Sequence, residues 1–341
     1  MKRASLILAG LSALAPLSCR NHAAPTGAAS ASALAPSAPP RVQAATTERL
    51  ATALASTDVR VEARRGFVAE DDPFVVRHRA KLDAHFGGKP GFPLAFQAIA
   101  VEGGKAAVLL AAPGPDPKPL VWLLDAHGEL VWTKDHPIGG VKPGVSEATL
   151  TPGPDGHVCL AWCNASTDSV ALRRWAEDGS AFADYDALHV DACDTLSVLY
   201  WPRRGWLLGI ATAPGAIIEL VNENGERAWG NDGVSLPWTW SGPAPLSFAL
   251  DSLDSALLFR LGRSGGEHSA VYVFASRWSP DGRPMWPGPL SVKRLSGQVT
   301  DPRTRVVLSP SAENAVEATL PAGVAGPAVS VRVLSDGTVT R

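Results

Sequence analysis

Leu123–Trp132 reads LLDAHGELVW. An apolar run enters the segment, the chain reverses at Gly128, and a second apolar pair leads to Trp132. Strand, turn and strand in that order make a β-hairpin, because glycine tolerates the positive φ of a tight turn. The pattern returns four times, as RRWAEDGSAF from Arg173, ELVNENGERAW from Glu219, SRWSPDGRPMW from Ser276 and RVLSDGTVTR from Arg332. Aligned on Gly128, Gly179, Gly225, Gly282 and Gly337, the copies are 51, 46, 57 and 55 residues apart. Four of those glycines follow Asp or Asn, which also favour the turn, and Trp132, Trp229 and Trp286 each stand four residues after one.

A second hairpin signal precedes each copy, with turns near Gly103-Gly104, Gly153 to Gly156, Arg203 to Gly205, Ser252 to Asp254 and Ser311 to Asn314. Two hairpins per period make a four-stranded antiparallel sheet, and self-similarity at about 40 to 50 residues is the mark of a β-propeller. The sequence therefore predicts an all-β fold, a propeller of five or six four-stranded blades, with blades at 92–137, 144–188, 194–237, 244–292 and 303–341. The rival is a β-sandwich, which also strings short strands on regular turns. Residues 46–91 fit the repeat poorly. Thr46 to Ser56 reads as a short helix, and VRVEA and PFVVR read as strand-like pieces of a sixth blade or of a ring closure.

The repeated turn, an Asp three residues before a Gly and a Trp just beyond, resembles that of quinoprotein-dehydrogenase-type propellers and of the propeller lipoprotein of the outer-membrane β-barrel assembly machine. The resemblance covers only the five short segments and implies fold, not function. Dehydrogenases of that type hold their quinone with an adjacent cysteine pair, which this chain lacks, so no cofactor is expected.

The N-terminus carries an export pattern. Met1-Lys2-Arg3 is positive and Ala4 to Ala15 is apolar, a run well short of the ~20 residues that span a bilayer. Pro16-Leu17-Ser18-Cys19 resembles a lipobox, with Pro16 where such boxes usually carry Leu, and marks Cys19 for lipidation; ordinary cleavage further on or an uncleaved leader are the alternatives. Residues 1–19 are thus read as the signal peptide and 20–45, rich in Ala, Pro and Ser, as a tether that cannot bury enough apolar surface to fold. Exported placement follows, in the periplasm or at the cell surface, with membrane contact only through the anchor.

Without Lys2 and Arg3 the chain carries 29 basic against 33 acidic side chains, a balance that gives no reason to bind nucleic acid. Beyond Cys19 there are three cysteines. Cys159 and Cys163 share one strand, four residues or ~13 Å apart, beyond the ~7 Å reach of a disulfide. Cys163 ends a second strand and Cys193 lies in a connection between blades that emerges on the same face, so Cys163 and Cys193 are expected to pair, leaving Cys159 a buried thiol. No histidine among His127, His136, His157, His189 and His268 has metal-ligand spacing, and no metal is expected.

Trp132, Trp229 and Trp286, at one blade position, are read as packing blade on blade. Trp238 and Trp240, in a loop without counterpart, are candidate binding-surface residues. Propeller enzymes gather carboxylates where the inner strands begin, and the matching positions are Gln97, Glu147, Asp194, Ser247 and Asp301. Two functions follow. The first is a non-enzymatic binding or scaffold propeller of the cell envelope, monomeric, engaging an envelope protein or polymer. The alternative is a carbohydrate-active hydrolase using Glu147, Asp194 and Asp301 as its acids.

Overall fold

The computed structural model describes residues 65–340, without 89, 114–117, 139–147, 165–166, 183, 191, 213–214, 237–243, 264–269, 297–303, 312–313 and 321–327. The expected signal peptide, Cys19, the tether and the helix at Thr46 to Ser56 lie outside the described residues. Among the described residues no helix is long and apolar enough to cross a membrane.

Strand β1 (Arg65–Val68) and helix α1 (Pro73–Phe86) come before the repeats. Blade 1 then runs β2 (Leu94–Val101), β3 (Lys105–Ala111), β4 (Leu120–Leu124) and β5 (His136–Pro137). Blade 2 is β6 (Ala148–Pro152), β7 (Val158–Asn164), β8 (Ser169–Trp175) and β9 (Tyr185–His189); blade 3 is β10 (Thr195–Trp201), β11 (Gly205–Thr212), β12 (Gly215–Val221) and β13 (Val234–Leu236). Blade 4 is β14 (Ser247–Leu250), β15 (Ala256–Arg263), β16 (Val271–Trp278) and β17 (Leu290–Arg294), and blade 5 is β18 (Val307–Ser311), β19 (Ala315–Leu320), β20 (Val329–Leu334) and β21 (Val339–Thr340). Every sheet is an antiparallel meander in chain order, and β1 adds a fifth strand to the inner edge of blade 1 by pairing with β2. These are the five blades of a β-propeller, close to the limits set by the repeat.

The PFVVR segment departs from its strand-like reading and opens helix α1. Its β-branched residues favour a strand, yet Asp72 caps the helix by accepting the Phe74 N–H at 2.9 Å, Pro73 fixes the first helical φ, and Gly87 ends the helix in the left-handed region. Phe74, Val75, His78 and Leu82 form its buried face, which packs with Trp122, Leu110 and Leu124 of blade 1.

The remaining core lies between successive blades. One apolar cluster joins blades 1 and 2, a second joins 2 and 3, a third 3 and 4, and a fourth 4 and 5. Among the described residues no such cluster joins blade 5 to blade 1; helix α1 covers that flank of blade 1, and Val307 on β18 is 47% exposed. Three of these four interfaces, between blades 1 and 2, 3 and 4, and 4 and 5, also carry a device that the repeat encodes. The indole N–H of Trp132 donates to the Glu177 carbonyl, that of Trp229 to Pro280 and that of Trp286 to Ser335, always two residues before the turn glycine of the next blade. The ring then lies under that glycine, so a β-carbon at Gly282 would stand 2.8 Å from Trp229. These tryptophans are therefore structural, as their recurrence implies. The Cys163–Cys193 disulfide is formed, with Cα atoms 6.2 Å apart, and Cys159 is a buried free thiol.

Candidate functional site at the inner strands

The first strands of the five blades, β2, β6, β10, β14 and β18, carry the positions from which a propeller displays its central site. Aligned on their hairpin turns, Gln97, Thr149, Ser197, Ser247 and Val307 stand at one level. Thr195 and Arg305 stand two residues nearer the strand starts.

This register corrects the sequence alignment of candidate acids. Gln97 and Ser247 do share a level, but Asp194 stands three residues behind it, ahead of β10. Gln97 is a blade-to-blade staple. Its carbonyl accepts the Leu150 N–H at 3.0 Å and its amide donates to Leu150 O at 3.3 Å. Ser247 is 8% exposed and among the described residues its hydroxyl has no hydrogen-bond partner. Asp194 is half-buried, with its backbone N–H on Ala211 O and its place at the open ends of the inner strands. Glu147, Asp301, Trp238 and Trp240 lie outside the described residues.

Sequence reasoning missed Arg305. It precedes β18, in blade 5, yet its guanidinium reaches blades 4 and 3. Nη1 donates to Ser197 Oγ at 2.7 Å and to Leu246 O at 3.2 Å, and Nη2 donates to Leu196 O at 2.7 Å. A side chain that leaves blade 5 and bonds residues of both blade 4 and blade 3 crosses the end of the inner-strand barrel. The signal was available in the repeat: once the hairpins are aligned, Arg305 falls on the level of Thr195, where a long cation has room to cross. Burial pulls its pKa down to about 10, which leaves it charged at neutral pH.

Elsewhere, a cavity of about 320 Å³ lies beside helix α1, lined by Arg77, His78, Lys81, Glu129 and Leu130. Its histidine is taken up by structure, with Nε2 on Gly128 O at 3.0 Å and a pKa lowered chiefly by burial. Among the described residues no group of three His, Cys, Asp or Glu side chains is arranged to hold a metal ion.

No protein-family model matches the sequence, and no curated protein matches it. Solved structures do. An alpha-L-arabinanase from Penicillium chrysogenum, complexed with arabinobiose, is 13% identical over 71% of this chain and 85% of its own, with a TM-score of 0.42. The fucose-specific lectin from Aleuria aurantia is 12% identical over 74% and 78%, TM-score 0.41. The alpha-L-arabinofuranosidase Arb93A from Fusarium graminearum is 9% identical over 69% and 79%, TM-score 0.42. At such identities the likeness is one of fold. The non-enzymatic envelope scaffold expected from the sequence has no counterpart among these three, which are an arabinanase, an arabinofuranosidase and a fucose-specific lectin, and it is set aside.

Proposed function

We propose that the domain is a carbohydrate-active hydrolase whose site lies at the open ends of the inner strands, with Glu147, Asp194 and Asp301 supplying its carboxylates. The observation that carries the reading is the placement of Asp194. It is a half-buried acid one residue ahead of β10, at the end of the barrel that Arg305 crosses. In the sequence Glu147 is the residue just ahead of β6 and Asp301 precedes Arg305 by four residues. Hydrolysis of a glycosidic bond needs one carboxylic acid to protonate the leaving oxygen and one carboxylate to act as nucleophile or to activate water.

The same reading places the protein outside the cytoplasm, released from its signal peptide at Cys19 and held by a lipid on that residue, with an envelope polysaccharide as its polymer. The disulfide supports export, because such bonds persist in oxidising compartments. Two experiments test it. Release of reducing ends from a set of plant and bacterial polysaccharides should fall by about 100-fold or more in Asp194→Asn and in Glu147→Gln or Asp301→Asn; wild-type release unaffected by all three substitutions sinks the assignment. Fatty-acid labelling in a bacterial host should require Cys19, and labelling retained by Cys19→Ala contradicts the anchor.

A further inference from the structure

We propose that Arg305, with the hydroxyls of Thr195 and Ser247, forms a recognition site for a carboxylate group, so that the sugar taken at this end of the barrel is an acidic one, of the uronate class. The carbohydrate part of this inference rests on the hydrolase reading; the carboxylate part does not.

A guanidinium has five N–H donors in a planar fork. Arg305 spends three of them on Ser197 Oγ, Leu246 O and Leu196 O, all neutral acceptors. Its Nε–H and one Nη2–H remain for a ligand, and among the described residues no carboxylate pairs with it. The three bonds hold the fork in place, so that little conformational freedom is lost when an anion docks on the remaining edge. Charge-assisted pairs of this kind, two parallel N–H donors on two carboxylate oxygens, are the stronger class of hydrogen bond and are specific in direction.

Two buried hydroxyls, those of Thr195 and Ser247, belong to residues next in sequence to Leu196 and Leu246, whose carbonyls accept from Arg305. Thr195 is 1% exposed and Ser247 8%, and among the described residues neither side-chain oxygen has a hydrogen-bond partner. Thr195 lies on the same face of β10 as Ser197, two residues away, and Ser197 Oγ accepts from Arg305. Ser247 follows Leu246, whose carbonyl also accepts from Arg305. A buried hydroxyl left unsatisfied costs on the order of 1–3 kcal/mol, and an ion withdrawn from water costs more unless it is paired. One carboxylate, or a carboxylate with the ring hydroxyl beside it, answers all three groups.

The test uses the mature chain and ligand-detected NMR titration with galacturonate, galactose and acetate. Galacturonate should bind at least tenfold more tightly than galactose, Arg305→Met should abolish that preference, and Thr195→Val with Ser247→Ala should weaken galacturonate several-fold while leaving galactose unchanged. Equal binding of galacturonate and galactose, absence of binding by both acids, or a preference that survives Arg305→Met overturns the proposal. If Arg305→Met does not fold, the Thr195→Val, Ser247→Ala protein decides, and an unaltered preference there overturns it equally. Acetate competing at the site while no sugar binds would uphold the carboxylate site and sink the carbohydrate reading instead.

Discussion

At the scale of single residues, the molecule is held by polar side chains that the apolar pattern brings to blade boundaries. Trp229 is the clearest case: its ring lies against Gly282 and its N–H donates to Pro280 O. Trp229→Ala should cost about 3–5 kcal/mol, and Trp229→Phe, which keeps most of the ring, about 1 kcal/mol for the lost hydrogen bond, both read by urea denaturation. Next to it Glu219 is fully buried, and its Oε1 accepts the N–H groups of Leu220 and Trp229 while Oε2 has no partner among the described residues. Burial raises its pKa, so the folded protein holds the proton more tightly than the unfolded chain. The stability this group contributes is full below the unfolded carboxyl pKa and is lost as pH rises through the folded one. Glu219→Gln should therefore raise the melting temperature at pH 7.5 and show little gain near pH 4; a gain equal at both values contradicts the assignment. The Trp positions were legible because they repeat. Glu219 and Arg305 were not, because a single polar residue in a strand gives no sign of whether it faces solvent, a neighbouring blade or the axis.

Elements show where local chemistry outweighs propensity. Phe74-Val75-Val76 is a strand-like triplet, and the sequence reading placed it in a strand; the Asp72 cap, Pro73 and the Gly87 terminator make it helical, and the apolar flank of blade 1 gives it a surface to cover. Asp72→Ala should lower stability by about 1 kcal/mol. The hairpins, by contrast, were readable to within a few residues, since all five outer turns close with the glycine N–H on the carbonyl three residues back. Between blades 2 and 3 the Cys163–Cys193 bridge closes a separation of 30 residues. Reducing it should cost roughly 3–4 kcal/mol by the loss of chain constraint in the unfolded state. Burial pushes the Cys159 thiol well up, and it should stay inert to alkylating reagents until the protein unfolds.

Among the described residues the molecule is a series of interfaces, each blade packed on the next, with helix α1 on the face of blade 1 turned away from blade 2. Blade number followed from the repeat, because one period is one sheet. Function did not, because the inner-strand groups from Thr195 to Arg305 are scattered over the chain, and only the register of the strands shows which of them share a level. The same register separates groups that the sequence had aligned: Gln97 is consumed by the contact between blades 1 and 2, while Asp194 stays at the open end. The measurement that bears most directly on the proposed activity is a crystal structure of residues 46–341, read for the separations among the carboxyl groups of Glu147, Asp194 and Asp301. The hydrolase reading predicts at least two of them about 5 to 10 Å apart across an open cleft, the spacing that glycosidic hydrolysis requires. Three carboxyl groups all further apart than that, or turned away from one another, would contradict it.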